Sequence, residues 1–291
     1  MNHSNIEENN EPWDLVLEPD SKWYSFRLKE IIRFKDLLLL FVRRDFVSVY
    51  KQTILGPLWF FVQPVITALI FSVIFGHLAG IPTDGIPPIL FYICGITLWN
   101  YFSDTLLKTS DTFTANAGIF GKVYFPRMIV PLSIVVSNLI KFGIQFLLFI
   151  VIWMYYVFNS SSIHPNTTIL LVPLLILLMG FLGLAFGIII SSMTTKYRDL
   201  KFLISFGVQL LMYTSPIVFP LSLVSQKYPH LKLFFLANPV TGIVEAFKFA
   251  FLGVGEFNWM YLGYSLVFTI ALFFIGLVVF NKVEKSFMDT I

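Results

Sequence analysis

Two groups of polar side chains sit inside apolar runs, and their spacing gives them chemical interest. Asn138, Lys141 and Gln145 are separated by three and four residues, so on a helix they share one face. Polar and ionisable groups at membrane depth are costly and turn toward a bundle interior or a water-filled cavity. This face is therefore placed to satisfy a neighbouring helix or to meet an anionic group of a substrate. Glu245 and Lys248, three residues apart, can pair on a helix, in a structural or a functional role. Other chemistry is missing. No G-x-x-x-x-G-K-[ST] pattern occurs; the stretch from Gly118 to Lys122 is followed by Val123 and lacks both the glycine spacing and the hydroxyl for magnesium. The chain is not expected to hydrolyse ATP by itself. There is no H-E-x-x-H, and His3, His77, His164 and His230 are scattered, so no metal site is expected. The single cysteine, Cys94, lies in an apolar run and reads as a small hydrophobe. It cannot form an intramolecular disulfide.

The elements that position these groups follow from composition. Of 291 residues, 57% are hydrophobic and only 13% charged, with net charge +3 and a mean hydropathy of +0.79. A soluble domain carries about 25% charged residues, so a disordered chain is excluded and a soluble enzyme disfavoured. The expected fold class is an all-α integral membrane protein with six transmembrane helices. A crossing needs about 20 mostly apolar residues, and windows of this kind occur over about 58–76, 86–102, 128–158, 168–193, 202–224 and 260–280. None of the six contains Asp or Glu.

Orientation follows from the basic residues, which are held back on the cytosolic side. All Lys and Arg except Lys141, Lys227, Lys232 and Lys248 fall before the first window, after the second and fourth, or after the last. The connections 77–85 and 159–167 contain none. Both termini are therefore expected in the cytosol, within a transmembrane domain over 57–282 and a short C-terminus over 283–291. Residues 1–22 are acidic, without an apolar leader, and read as a disordered cytosolic tail. Residues 23–56 hold a short apolar run flanked by basic residues and read as an amphipathic interface helix. Such a helix serves either as a membrane anchor alone or as an anchor that also contacts a cytosolic partner.

Two segments fit neither span nor simple loop. Residues 110–127 set Phe113, Ile119, Phe120, Tyr124 and Phe125 among small and polar residues on the cytosolic side. Exposed aromatics there call for a partner subunit or the membrane interface to cover them. Residues 233–255 are apolar but interrupted by Asn238 and Pro239, while Pro216 and Pro220 break the end of the fifth window. Broken backbone at membrane depth needs protein or a water-filled cavity around it, so a pair of short re-entrant helices is expected on the outer side rather than a seventh span. Trp59, Phe60, Tyr92, Trp99 and Tyr101, with Asn138, Lys141 and Gln145, are candidates to line a path, because aromatic faces suit the apolar C–H faces of sugar rings.

Several local patterns then resemble the permease subunit of ABC-2 type polysaccharide exporters, which move lipid-linked O-antigen, capsule or teichoic acid polymers. They are Arg44-Asp45, Tyr50-Lys51-Gln52-Thr53, Leu55-Gly56-Pro57-Leu58-Trp59 and Gln63-Pro64, then Tyr124-Phe125-Pro126-Arg127, Tyr197-Arg198-Asp199-Leu200, Ser215 to Pro220 and Asn238-Pro239-Val240, in order over about residues 20 to 285. The resemblance implies a homodimer in the bacterial cytoplasmic (inner) membrane, powered by two copies of a cytosolic ATPase that uses ATP and Mg. It implies no cofactor bound by this chain. It implies that the interface helix and residues 110–127 contact the ATPase, and that Pro216, Pro220, Asn238, Pro239, Glu245 and Lys248 belong to a periplasmic gate. The substrate would resemble an undecaprenyl-pyrophosphate-linked glycan, O-antigen above capsule, its headgroup met by Arg43, Arg44 and Arg127. Rival readings are an ABC-2 exporter of a small lipid or drug, an integral-membrane glycosyltransferase using Asp104, Asp111 or Asp199, and a proton-coupled transporter, which the acid-free spans disfavour.

Overall fold

The computed structural model describes residues 28–51, 54, 56–159, 163–197 and 199–286, and all of its regular structure is helical. The acidic tail, Gln52, Thr53, Leu55, Arg198 and residues 287–291 lie outside the described residues.

The interface segment is a pair of helices, α1 (Leu28–Arg33) and α2 (Lys35–Tyr50), that meet at Phe34. Phe41 and Val42 are buried while Leu39, Leu40 and Arg43 face outward, and α2 packs against α6 (Ile129–Asn159). Helix α3 (Trp59–Phe71) starts from a tight turn at Gly56–Leu58 and continues in wider π-helical turns through Leu78. It therefore reads as one rod over Gly56–Leu78.

Helix α4 (Pro88–Ser110) begins with proline at its first turn, where a missing N–H costs nothing. The second window was expected to end near Phe102, but the helix runs on through Asp104 and Lys108. Phe91, Leu98 and Phe102 are buried, as are Thr97, Thr105 and Thr109, because α3, α6, α7 (Val172–Thr194) and α11 (Pro239–Leu252) all pack on it. A helix that neighbours enclose need not be apolar enough to face lipid, which explains its mixed composition. Among the described residues, four helices are long and apolar enough to cross a bilayer: Gly56–Leu78, Ile129–Asn159, Thr167–Thr194 and Trp259–Glu284, the last within α12 (Trp259–Ser286).

After α4 comes α5 (Thr112–Phe120). The α4–α7 seam is the most extensive packing in the molecule, followed by α7 with α12. It is close because α7 presents glycines. A Cβ at Gly183 would sit 2.9 Å from the Phe102 carbonyl oxygen, and one at Gly187 would sit 2.5 Å from Thr109 Cβ; small residues let membrane helices approach in this way.

The expected fifth span is not one helix. Helix α8 (Leu200–Tyr213) has 14 residues, about 21 Å at 1.5 Å per residue, and the chain then turns at Ser215-Pro216 before α9 (Leu221–Lys227). The Thr214 and Ser215 hydroxyls donate back to the Leu211 carbonyl, and the prolines bring no donor to continue the ladder. Next, α10 (Lys232–Leu236) leads into α11. The helical stretch Pro229–Leu236 and helix α11 enclose a bend of 100°, as a segment broken at Asn238-Pro239 should. Asn238 caps α11 by accepting from the Val240 N–H at 3.0 Å, and Gly253, with φ 72°, closes its other end in the left-handed region.

Candidate functional site

The candidate side chains gather at the two ends of the bundle and in a polar seam between α4 and α6. At the α5 end, the turn from Asp111 to Arg127 folds back onto its own chain. Phe113 is fully buried and stacks on Phe280 of α12, centroids 4.7 Å apart. Phe120 meets Phe113 at 6.0 Å and Phe125 at 5.7 Å, and Phe125 meets Phe41 of α2 at 5.8 Å. These rings belong to one apolar cluster with Ile31, Met128, Ile134, Leu184, Ile188 and Leu277.

The sequence-based expectation that these aromatics are exposed is therefore corrected for Phe113, Phe120 and Phe125, because α2, α7 and α12 of the same chain converge there and cover them. Ile119 is half-buried; Val123 and Tyr124 remain exposed. The segment is also pinned by polar contacts. Thr194 donates to the Ser110 carbonyl at 2.8 Å, the Phe113 N–H reaches the Ser191 hydroxyl at 3.4 Å, and Lys201 of α8 pairs with Asp111 at 2.5 Å.

The three arginines proposed for an anionic headgroup differ. Arg43 is exposed. Arg44 pairs with Asp45 at 2.8 Å and lies 4.7 Å from the Phe41 ring centre. Arg127 is turned inward: Nη1 donates to the Glu284 carbonyl at 2.6 Å and the guanidinium lies 5.6 Å from the Phe120 ring centre. Burial lowers its pKa from the usual arginine value, with Glu284 opposing the shift. It ties the α5 turn to the end of α12.

Between the ends, Asn138, Lys141 and Gln145 share one face of α6, as their spacing requires, and the face points at α4. Lys141 pairs with Asp104 at 2.5 Å and lies 5.9 Å from the Phe60 ring centre. Asn138 accepts from Lys108 at 3.0 Å and donates to Thr105 at 3.3 Å. Asn138 and Lys141 thus satisfy a neighbouring helix, while Gln145 Nε2 is buried without a partner among the described residues. The pairing of Asp104 and Lys108 with α6 is not legible in the sequence because both lie beyond the apolar window, although two turns of further helix carry them to the level of α6.

Of the aromatic path candidates, Tyr92, Trp99 and Tyr101 are buried in the protomer's own core: Tyr92 contacts Phe71 and Phe91, Trp99 contacts Phe102 and Tyr101 contacts Phe142. Phe60 is buried beside Phe46, and Trp59 alone of the five is exposed.

At the α11 end the breaks are held by polar groups. Asn238 donates to the Ser215 hydroxyl at 2.9 Å while it caps α11. Ser265 of α12 donates to the Pro239 carbonyl at 2.6 Å, Trp153 of α6 to the Phe251 carbonyl at 2.7 Å and Asn166 to the Phe249 carbonyl at 2.9 Å. Pro216 and Pro220 are buried in the turn between α8 and α9. Glu245 and Lys248 are both buried, but each bonds backbone: Glu245 accepts from the Glu256 N–H at 2.9 Å, and Lys248 donates to the Pro216 carbonyl. At the surface Lys232 pairs with Glu256 at 2.5 Å.

Residues 36–252, from α2 through α11, match the family described as ABC-2 type transporter. The chain belongs to the ABC-2 type transporter family. The permease is 26% identical over 254 residues to the O-antigen export system permease protein RfbA of Klebsiella pneumoniae, covering 87% of this chain and 94% of that protein. It is 25% identical over 225 residues to the protein of the same name from Myxococcus xanthus, covering 77% and 83%. To the polysialic acid transport protein KpsM of Escherichia coli it is 23% identical over 241 residues, covering 81% and 89%. The permease is thus a multi-pass membrane protein of the polysaccharide-exporter type, of O-antigen or capsule kind, and its family carries no ATPase domain.

Proposed function

We propose that this permease is the membrane half of an ATP-driven exporter that moves a lipid-linked polysaccharide, O-antigen above capsule, across the bacterial cytoplasmic membrane. Two copies of the chain and two copies of a cytosolic ATPase form the working unit. The observation that carries the reading is the α5 turn: its rings are locked against α2 and α12 while Val123 and Tyr124 face outward. A stroke applied to that exposed edge reaches three helices through a packed joint. The ATPase, with its ATP and Mg, supplies the energy. In this arrangement α4 and the broken α8–α9 stretch complete six crossings with both termini in the cytosol. The basic residues of α2 and of the α5 turn, on the cytosolic side by the charge rule, support that orientation.

The polymer path lies between protomers. Burial of Tyr92, Trp99 and Tyr101 in the core of one protomer supports a conduit formed where one copy faces the other, with Trp59 among its candidate lining. A pyrophosphate headgroup meets Arg43 and Arg44 on α2, while Arg127 holds the joint. The outer closure is the α9–α11 region. Similar permeases are named for O-antigen export and for polysialic acid transport, which supports the wider class of exported glycans.

The experiment is affinity purification of the tagged permease from membranes, with ATPase assay and stoichiometry of what accompanies it. Co-purification of a Walker-containing subunit at a one-to-one ratio is expected. A permease that purifies alone, with deletion of every neighbouring ATPase leaving surface glycan intact, overturns the reading.

A further inference from the structure

Lys248 does more than belong to the outer segment. Its ammonium donates to the Pro216 carbonyl, the backbone oxygen exposed by the break after α8, and lies 3.5 Å from the centre of the Phe91 ring on α4. Lys248 and Phe91 are each 1% exposed. One turn further along α4, a Cβ on Gly95 would stand 3.2 Å from the Ile217 side chain, so α4 and the broken turn are already in contact there. Three separate elements meet at one buried cation: α11 through Lys248, α8 through Pro216, and α4 through Phe91. On the same helix, Glu245 holds the chain beyond α11 through the Glu256 N–H, and its other oxygen, Oε1, is buried without a partner.

We propose that Lys248 is a positioning residue of the transport cycle, a latch that holds the outer closure by joining α11 to the broken end of α8 across α4. Its meaning as a gate rests on the exporter reading. The physical grounds are these. A cation over an aromatic face and in a charge-assisted bond to a carbonyl is strongly held when dry. Both interactions are short-ranged, so a small shift of α8 or α4 breaks them together. The unmade bond at Glu245 Oε1 already costs the closed state, which lowers the cost of releasing the joint. Movement of α4 follows from its other end, where it runs into the α5 turn.

The only cysteine of the chain supplies the test. Cys94 lies on α4 between Phe91 and Gly95, is fully buried, and is in electrostatic reach of both Lys248 and Glu245. The purified permease, with whatever subunit accompanies it, is placed in lipid nanodiscs, and labelling by a water-soluble maleimide is followed without nucleotide. Three variants are compared with the native chain: Lys248→Met, Lys248→Arg and the double variant Glu245→Gln with Lys248→Met. Cys94→Ser confirms the labelled position. Loss of the charged bond is expected to speed labelling about tenfold or more in Lys248→Met and in the double variant, while Lys248→Arg stays slow.

If Lys248 only neutralised Glu245, the double variant would restore the native rate, because it leaves no unpaired buried charge. A native labelling rate in the double variant, with its size-exclusion profile and tryptophan fluorescence unchanged, overturns the proposal. If Lys248→Met does not accumulate, the double variant still decides. Labelling needs neither ATP nor polymer, so an absent ATPase would defeat the exporter reading and leave the latch to be judged by itself.

Discussion

The two ends of this bundle solve the same problem with different chemistry. Each must hold a short helix that breaks the main rods. At the α5 end the break is closed by rings, Phe113 on Phe280 and Phe120 between Phe113 and Phe125. At the α11 end polar groups hold it: Lys248 on the Pro216 carbonyl, Glu245 on the Glu256 N–H and Asn238 on the Ser215 hydroxyl. Ring packing spreads its attraction over many small contacts in a preferred geometry, so it transmits force without depending on any single bond. A hydrogen bond in a dry site is made or lost over a fraction of its length. A joint of the first kind suits coupling, and one of the second kind suits a closure that switches.

The largest expected effect lies in the seam both ends share. Gly187→Leu drives a side chain into Thr109; the permease should fail to accumulate in the membrane, as seen by immunoblot. Normal accumulation would mean that α4 and α7 can separate, and neither end would then have a fixed frame. Next comes the polar end. Lys248→Met removes the buried bond to the Pro216 carbonyl and leaves the buried Glu245 without a nearby cation, and about 3–5 kcal/mol of destabilisation is expected, read as a lowered thermal unfolding midpoint in detergent. Adding Glu245→Gln should recover most of that midpoint without recovering closure.

At the aromatic end Phe113→Ala opens a cavity beside Phe280, with about 3–5 kcal/mol expected. Phe113→Leu should cost less than about 1.5 kcal/mol if apolar volume is what matters there. Equal losses for Ala and Leu would show that the ring stack itself is required, and the contrast between the two ends would narrow. The smallest effect on stability belongs to Val123→Ala with Tyr124→Ala, two exposed side chains, expected within about 0.5 kcal/mol. Surface glycan should nevertheless fall sharply while ATPase activity persists. Intact export in that variant would remove the α5 edge as the contact with the ATPase.

Much of this was legible before any coordinates. The apolar windows near 58–76, 128–158, 168–193 and 260–280 became rods with ends within a few residues, because twenty apolar residues in a row can satisfy their backbone in lipid only as helix. Asn238-Pro239 marked the bend, since proline starts a helix well and continues one badly. The face shared by Asn138, Lys141 and Gln145 followed from helical period. Apolar windows do not match α4 or the stretch after Tyr213. Helix α4 is enclosed by protein, so its hydropathy no longer reports its length, and α8 stops where serine, threonine and proline compete with the helical ladder.

By itself, then, the sequence determined which stretches must be helical, where the basic segments lie between them, where the chain must break, and that no ATPase motif is present. Those properties depend on local composition and period. Only the tertiary structure decided what each polar or aromatic group touches. It turned Phe113, Phe120 and Phe125 inward, gave Lys141 to Asp104, drew Arg127 to Glu284, and set Lys248 on the Pro216 carbonyl rather than on Glu245. The reason is that partners separated by tens of residues are chosen by how whole helices pack, and that choice depends on the close α4–α7 approach rather than on any residue's immediate neighbours.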